Sequence, residues 1–205
     1  MKHKTEVYIL DCRELKDAAV YERLFAEQDE SRKEKILLCR DEGESRLSLG
    51  GGCLIRYGLK LWGIPGDDLV FGENGAPAVK SGGVHLSLSH SGDYAMLGIS
   101  TKALGVDIER MQPEAMHLAE HFFTEGEKHS MHSASSPMEE FFRIWSRKEC
   151  FIKREGLRDL REIDTLSPVD GAQFYDFTLD GYSCVCYCAE DVPPQLIMAD
   201  ISEII

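Results

Sequence analysis

The chain contains 205 residues, of which 43% are hydrophobic, and it carries a formal net charge of −13. This length and apolar content predict one folded domain, or two small lobes that share a core, and argue against a disordered chain. The negative charge disfavours nucleic acids and anionic membranes as partners, so a local basic patch would have to hold any anionic ligand.

The sequence has no feature that indicates export or membrane insertion. Met1-Lys2-His3-Lys4 is followed by an acidic residue and a short apolar run, unlike a signal peptide, and no apolar run approaches the roughly 18 residues of a membrane span. The seven cysteines lack a disulfide-scaffold spacing and favour a reducing, cytoplasmic environment. Cys184, Cys186 and Cys188 alternate along a predicted strand, which indicates a packed face of small residues rather than a metal site.

Short strands and helices alternate in the predicted amino-terminal half. A helix is expected over residues 14–26, and Ser31 with Glu34 forms the pattern of a capping box that starts a second helical stretch reaching about Trp62. The triple glycine at residues 50–52 interrupts this stretch, but it lacks the preceding strand and the Gly-Lys-Ser/Thr ending of a phosphate-binding loop. We interpret it as a site of close helix packing or a kink. Turns are predicted at residues 64–67 and 73–77, and strands at residues 7–10, 69–71, 85–89, 94–100 and 104–109.

The last three of these strands follow one another closely, which predicts an antiparallel meander. In the carboxyl-terminal half, Thr124 and Glu127 form the pattern of a second capping box. Each half has a long helix and a small sheet, which assigns the chain to the α/β (α+β) class. The remaining predicted elements are helices at residues 113–122 and 138–154 and strands at residues 173–179, 182–189 and 196–199.

Two acidic residues share one face of the strand at residues 104–109. Val106 and Ile108 alternate with Asp107 and Glu109, so the two carboxylates point the same way, roughly 7 Å apart along the backbone. Like charges this close repel each other, and Mg²⁺ would relieve the repulsion because it favours one or two carboxylates together with substrate phosphates. The alternative is a solvated strand edge with two ordinary acids.

The helix at residues 138–154 carries charged groups beside large apolar ones. Lys148, Glu149 and Lys153 fall on the broad face that also holds Trp145 and Ile152. A surface ion pair between Glu149 and Lys153 is the ordinary interpretation of such spacing. The apolar neighbours of this pair favour a functional interpretation instead. Glu149 would be a third carboxylate for a cation, and Lys148 and Lys153 would be two ammonium groups for phosphate.

Further candidates for anion binding lie earlier in the chain. His90 ends a predicted strand and is flanked by serine and glycine residues, a common setting for an anion site, although a lone histidine is more often structural. Arg32, Lys33 and Lys35 cluster in an otherwise acidic chain, as a phosphate patch or as a solvated helix face.

Together these stretches resemble the signature of the 4′-phosphopantetheinyl transferases. The spaced combination Gly-Val-Asp … Trp-Ser-x-Lys-Glu-x-Phe-x-Lys is highly specific, and the resemblance runs from about Ser31 to the last strands. At this length the chain is similar to the surfactin-synthetase-activating type, a monomer of two similar α/β lobes. We therefore expect lobes at residues 1–102 and 103–205 with the active site between them. The matching stretches are Leu88-Ser89-His90-Ser91-Gly92, residues 105–109, residues 122–127 and residues 145–153.

The resemblance implies a reaction and a set of roles. Such an enzyme moves the phosphopantetheine arm of coenzyme A onto a serine of an apo acyl or peptidyl carrier protein, needs Mg²⁺, and releases adenosine 3′,5′-bisphosphate. Glu127 matches the acid proposed to assist deprotonation of the serine. The other correspondences are Asp107, Glu109 and Glu149 to the metal-binding acids; Lys148 and Lys153 to the pyrophosphate-side lysines; Ser89 and His90 to coenzyme A contacts; and Arg32, Lys35 and Ser48, with Arg46 as a nearby substitute, to the 3′-phosphate contacts.

One position departs from the family pattern, and it leaves alternatives open. Ala76 stands where the family usually carries a basic residue that contacts the nucleotide end of coenzyme A. A non-catalytic coenzyme A-binding relative is therefore a second hypothesis. A third is a metallohydrolase that uses His117 and His121, although the chain lacks the Glu of a His-Glu-x-x-His site. The acidic chain would also steer an acidic carrier poorly, so docking would depend on apolar contacts between the lobes.

Overall fold

Two β-sheets lie face to face, and each is covered on its outer side by one long helix. The computed structural model describes residues 4–72, 75–157, 159–166, 171–190 and 192–204. The strands are β1 (Thr5–Asp11), β2 (Leu69–Phe71), β3 (Pro77–Val79), β4 (His85–Ser91), β5 (Tyr94–Ser100), β6 (Leu104–Arg110), β7 (Gln173–Leu179), β8 (Tyr182–Cys188) and β9 (Gln195–Ala199). The first sheet has the order β4-β5-β1-β9, the second has the order β6-β8-β7, and β2 pairs with β3.

The helices connect the strands and enclose both sheets. They are α1 (Ala18–Ala26), α2 (Glu30–Leu37), α3 (Glu42–Leu61), α4 (Ala119–Phe122), α5 (Glu125–Ser133), α6 (Pro137–Glu155) and α7 (Ile201–Ile204), with 3-10 turns at Cys12–Lys16, Gly66–Asp68, Pro113–Leu118 and Leu160–Glu162. Helix α3 packs on the first sheet and α6 on the second. Among the described residues, no helix is both long and apolar enough to cross a membrane.

Strand alternation divides the core into layers. The inner faces of the two sheets meet in a cluster that includes Val7, Ile9 and Met96 from the first sheet and Val106 and Ile108 from the second. The cysteines of β8 belong to this cluster and are fully buried, as expected for a packed face of small residues. The alternate residues of β1 and β5 face α3 in a second cluster.

The triple glycine lies inside the continuous helix α3, where all three residues are buried. A Cβ atom at Gly50 would lie 2.4 Å from Cys12 Sγ, and one at Gly52 would lie 2.7 Å from the side chain of Gln28. The glycines therefore permit close packing of α3 against its neighbours, as the sequence indicated, without a kink or a phosphate-binding loop.

Several sequence-based boundaries are wrong, and local capping explains them. The helix expected over residues 14–26 begins only at α1, because Asp17 accepts hydrogen bonds from the first turn and separates α1 from a 3-10 turn. Helix α2 is capped by Asp29 rather than by Ser31. The next helix is a separate one, which starts at its own cap, Asp41. The helix expected over residues 113–122 is a 3-10 turn followed by α4. Glu73 and Asn74, in a predicted turn, lie outside the described residues.

The sheet topology also differs from the expected meander. Strands β4 and β5 form an antiparallel hairpin, but β6 belongs to the second sheet, where it pairs with β8. Strand β9 returns to the first sheet and runs parallel to β1. The end of the chain thus completes a sheet built by the amino-terminal half, and the division into lobes at residue 102 stays a prediction.

Candidate active site

Along one side of the packed sheets, the edge strands β4 and β6 are linked by serine hydroxyls. Strands β4 and β6 lie at the edges of their sheets and contact each other closely. Ser87 Oγ accepts a hydrogen bond from the backbone N–H of Val106 at 3.0 Å. Ser89 Oγ donates to Asp107 Oδ1 at 2.8 Å, and Ser91 Oγ donates to Glu109 Oε2 at 2.8 Å. The alternate serines of β4 therefore face the acidic residues of β6.

The backbone of helix α6 packs directly against the backbone of β6 at Gly105. A Cβ atom at Gly105 would lie 1.9 Å from the carbonyl oxygen of Cys150, so no larger residue fits there without a backbone shift. This contact brings the part of α6 that carries Glu149 and Lys153 against Asp107. Close packing of helix α6 on β6 thus explains why residue 105, two positions before Asp107, is a glycine.

The ammonium group of Lys153 lies among the polar atoms of β4 and β6. Its Nζ donates to Asp107 Oδ1 at 2.6 Å, to Ser89 Oγ at 2.9 Å and to the carbonyl oxygen of Val106 at 3.2 Å. Burial opposes the charge, but the Asp107 carboxylate prevails and raises the pKa of Lys153. The side chain remains 26% exposed, and a cavity of about 290 Å³ adjoins it between β3, the start of β4 and the start of β6.

The three acids repel one another. Burial, reinforced by the charge of Asp107, raises the pKa of Glu109 to about 7. Burial and the same charge also raise the pKa of Glu149. Asp107 is 1% exposed, and within the described part of the chain its Oδ2 has no hydrogen-bond partner. A buried carboxylate oxygen without a partner is costly, so the arrangement favours a positive ligand.

These residues fit a hard divalent cation in chemistry, although they are not gathered around one point. Across the ranges that the structure describes, no three His, Cys, Asp or Glu side chains converge closely enough to hold a metal ion. The Lys153 ammonium provides the positive charge against Asp107 instead. The donors that Asp107, Glu109 and Glu149 would offer are all oxygens, the type that Mg²⁺ prefers.

Glu127 and Lys148 form a second, fully buried ion pair. Lys148 Nζ lies 2.9 Å from Glu127 Oε2, and both side chains are 0% exposed. Lys148 also donates to the carbonyl oxygens of Leu160 and Ile163, while Glu127 accepts from the backbone N–H and the hydroxyl of Thr165, each at 2.9 Å. Burial opposes ionisation of Glu127, but these hydrogen bonds lower its pKa.

This pair differs from the roles that the resemblance implied. Glu127 completes the expected capping box of α5 with Thr124, so that prediction is confirmed. Lys148 points into the core, although it was expected beside phosphate with Lys153. The reason is geometric, because the two lysines are five residues apart and so lie about 140° apart around the helix, whereas Glu149 and Lys153 differ by only about 40°.

Comparison with known proteins shows similarity to one enzyme superfamily. A model of the 4′-phosphopantetheinyl transferase superfamily matches residues 103–198. The 4′-phosphopantetheinyl transferase psf-1 of Bacillus pumilus is 34% identical over 119 residues, and a 4′-phosphopantetheinyl transferase of Bacillus subtilis is 31% identical over 144 residues. These alignments cover 55% and 66% of this chain and 51% and 63% of the relatives. Residues 103–198 are therefore similar to the 4′-phosphopantetheinyl transferase superfamily.

A further relative is aligned over most of both proteins. The 4′-phosphopantetheinyl transferase Sfp of Bacillus subtilis strain 168 is 24% identical over 90% of this chain and 92% of its own length. This alignment, with those above, supports the surfactin-synthetase-activating type within the superfamily. The chain spans only 48–63% of the length of the first three curated relatives that it matches.

The part matched by the transferase superfamily contains the acids and Lys153, but the residues expected to hold the nucleotide precede it. Arg32 packs across the buried glycines of α3 and donates to the carbonyl oxygen of Ser48, and burial lowers its pKa. Its Nε is buried and, among the described residues, has no hydrogen-bond partner. Lys35 Nζ lies 4.8 Å from the centre of the Phe71 ring, on the side of the β2–β3 hairpin. Arg46 pairs with Glu42 at 3.5 Å.

His90 and the other histidine candidates have separate surroundings. The His90 side chain is exposed at the end of β4, yet partial desolvation and the charges of Arg32 and Lys153 lower its pKa. His117 lies in the 3-10 turn before α4 and donates from Nδ1 to the carbonyl oxygen of Glu114 at 2.6 Å. His121 lies in α4 itself, so the single helix on which the metallohydrolase hypothesis placed both histidines does not form.

The roles of two polar residues of the site region were not predicted from the sequence. Ser91 contacts Glu109, and Thr165 contacts Glu127. The period-two repeat of serines at 87, 89 and 91 was a signal for a polar strand face opposite the acids. Thr165 had no such signal, because it follows α6 at a distance and meets Glu127 only through tertiary packing.

Proposed function

We propose that this chain transfers 4′-phosphopantetheine from coenzyme A to a serine of an apo acyl or peptidyl carrier protein, with Mg²⁺ as cofactor. In that reaction the serine oxygen bonds to the phosphorus that carries pantetheine, and adenosine 3′,5′-bisphosphate leaves. The observation that carries the proposal is that Lys153 contacts Asp107, while Glu109 and Glu149 lie near enough to feel the charge of Asp107. All four residues lie inside the segment that the superfamily model matches.

The three acids are the proposed metal ligands. Their mutual repulsion and the unpartnered oxygen of Asp107 both favour a divalent cation. When bound, Mg²⁺ would supply neutralisation of the charge on the diphosphate oxygens. Glu109 is held ready by its hydrogen bond from Ser91, and Asp107 by its hydrogen bond from Ser89.

Lys153 is the proposed diphosphate-binding lysine. Its ammonium group is partly exposed, remains charged beside Asp107, and borders the cavity next to β3. Positioning and electrostatic stabilisation supply most of the catalysis in phosphoryl transfer, so a fixed ammonium group is suited to this role. Arg32, whose buried Nε has no partner among the described residues, and Lys35 are proposed to hold the nucleotide end, with His90 nearby.

Glu127 and Lys148 are proposed to position the active site rather than to contact substrate. Both side chains are fully buried and saturated by one another, by Thr165 and by backbone carbonyls. The pair joins α5 and α6 to the segment after α6. The nucleophile comes from the carrier protein, so the chain itself needs no activated serine or cysteine.

Mass spectrometry of a carrier protein tests this function. The protein is mixed with coenzyme A, Mg²⁺ and an apo carrier, and calorimetry measures coenzyme A binding in parallel. We expect binding and a mass gain of one phosphopantetheine group. Binding of coenzyme A without a mass gain on any apo carrier tested would favour the non-catalytic relative that Ala76 suggests.

A further inference from the structure

The hydroxyl group of Ser91 has a fixed direction. Its Oγ accepts a hydrogen bond from the backbone N–H of Arg110 at 3.1 Å, so its own proton is available for Glu109 Oε2 at 2.8 Å. The backbone N–H of Arg110 in β6 thus directs the hydroxyl proton of Ser91 toward Glu109, the preceding residue of β6. Ser91 therefore joins the backbone of β6 to a carboxylate of β6.

The turn after Ser91 holds this serine in place. Gly92 has a φ of +61°, and a Cβ atom there would lie 2.4 Å from the hydroxyl oxygen of Tyr182. The same hydroxyl accepts from the backbone N–H of Asp93 at 3.0 Å, and the rings of Tyr94 and Tyr182 pack edge to face at 5.0 Å. The β4–β5 turn is consequently anchored to the second sheet next to Glu109.

Ser89 repeats the arrangement at the first acid. Its Oγ accepts from Lys153 Nζ at 2.9 Å and donates to Asp107 Oδ1 at 2.8 Å. The hydroxyl proton of Ser89 forms a hydrogen bond to Oδ1 of Asp107. The Oδ2 atom is buried and has no hydrogen-bond partner among the described residues. Each acid of β6 is therefore oriented by one serine of β4.

We propose that Ser91 is a positioning residue that fixes the carboxylate of Glu109 for a divalent cation. This inference rests on the proposed function, because the cation belongs to that reaction. Metal-ligating carboxylates are commonly held by outer hydrogen bonds, and loss of such a bond typically weakens metal affinity about ten- to hundredfold. Ser91 does not contact the cation or the substrate in this role.

Manganese titration of the protein without coenzyme A tests the role directly. Mn²⁺ binding is followed by the electron paramagnetic resonance of the unbound ion, for the wild type and for Ser91→Ala, Ser91→Thr and Ser87→Ala. Ser87→Ala is the matched control, because the Ser87 hydroxyl accepts from the Val106 N–H and, among the described residues, has no hydrogen bond to a carboxylate. Thermal unfolding of each variant checks the fold independently of metal.

We expect Ser91→Ala to bind Mn²⁺ about ten- to hundredfold more weakly, with Ser91→Thr and Ser87→Ala close to wild type. In transfer assays, Ser91→Ala should need more Mg²⁺ for half-maximal rate, while its KM for coenzyme A at saturating Mg²⁺ stays unchanged. Wild-type affinity in Ser91→Ala would overturn the positioning role alone. Failure of the wild type to bind Mn²⁺ would overturn the metal site, and the inference with it.

Discussion

Replacement of Lys148 by methionine should destabilise the protein strongly, because it leaves the Glu127 carboxylate buried without its counter-charge. Both side chains are 0% exposed and their charged atoms are 2.9 Å apart. Removal of one partner of such a pair typically costs about 3–5 kcal/mol. At about 2–4 °C per kcal/mol for a chain of this size, the melting temperature should fall by roughly 6–20 °C. Urea unfolding followed by circular dichroism measures the free energy.

A double variant separates the ion pair from simple loss of packing. Glu127→Gln combined with Lys148→Met removes both charges, so the summed cost of the single variants should exceed that of the double by about 0.5–3 kcal/mol. Additive costs, or a Lys148→Met protein within about 1 kcal/mol of wild type, would refute the buried-pair reasoning. A wild-type unfolding free energy with a lost transfer rate would assign Lys148 to the chemistry instead.

The other predictions concern three positions around the site. Gly105→Ala should cost about 1–3 kcal/mol of stability, because the new Cβ would press on the Cys150 carbonyl. Gly126→Ala should not, because its Cβ would lie 3.6 Å from the side chain of Leu166, at ordinary contact distance. Equal thermal unfolding of the two variants would contradict this. In metal-free protein, Glu109→Gln should raise stability by about 1–3 kcal/mol at pH 8 and little at pH 5. The pKa of Glu109 is about 7 in the folded protein and lower in the unfolded chain, so the stability of the wild type falls as pH rises between these two values. An equal gain at both pH values would refute the raised pKa of Glu109. Ala76→Lys should tighten coenzyme A binding severalfold in calorimetry through a new phosphate contact, and Ala76→Ser should not; an unchanged Kd for Ala76→Lys would contradict the missing contact.

Local patterns made part of the structure predictable. Helix α6 differs from its prediction by one residue at each end, because its apolar spacing is strong and a left-handed glycine, Gly156, ends it. Strand β5 has the predicted bounds. The capping box of Thr124 and Glu127 was visible because its residues are three apart in sequence. The paired acids Asp107 and Glu109 were visible because they are close in sequence, two positions apart on one strand.

Tertiary contacts explain what the sequence did not show. Asp29 and Ser31 are both good N-cap residues two positions apart, so composition alone could not choose between them. Strand β6 follows β5 after a short turn, yet pairing with β8 buries its apolar face between the sheets. The direction of Lys148 depends on its ion pair with Glu127 and on the carbonyl oxygen of Ile163, beyond α6. No local spacing encodes such contacts.

Carrier-protein modification by the wild type and by Asp107→Ala directly tests metal-assisted transfer at Asp107. Each protein is incubated with coenzyme A, apo carrier and either Mg²⁺ or a chelator, and the carrier is weighed by mass spectrometry. We expect one phosphopantetheine on the carrier serine with wild type and Mg²⁺ only, and an Asp107→Ala protein that unfolds cooperatively but is inactive. Equal modification by Asp107→Ala, or by wild type in chelator, would contradict the metal-assisted transfer at Asp107, Glu109 and Glu149.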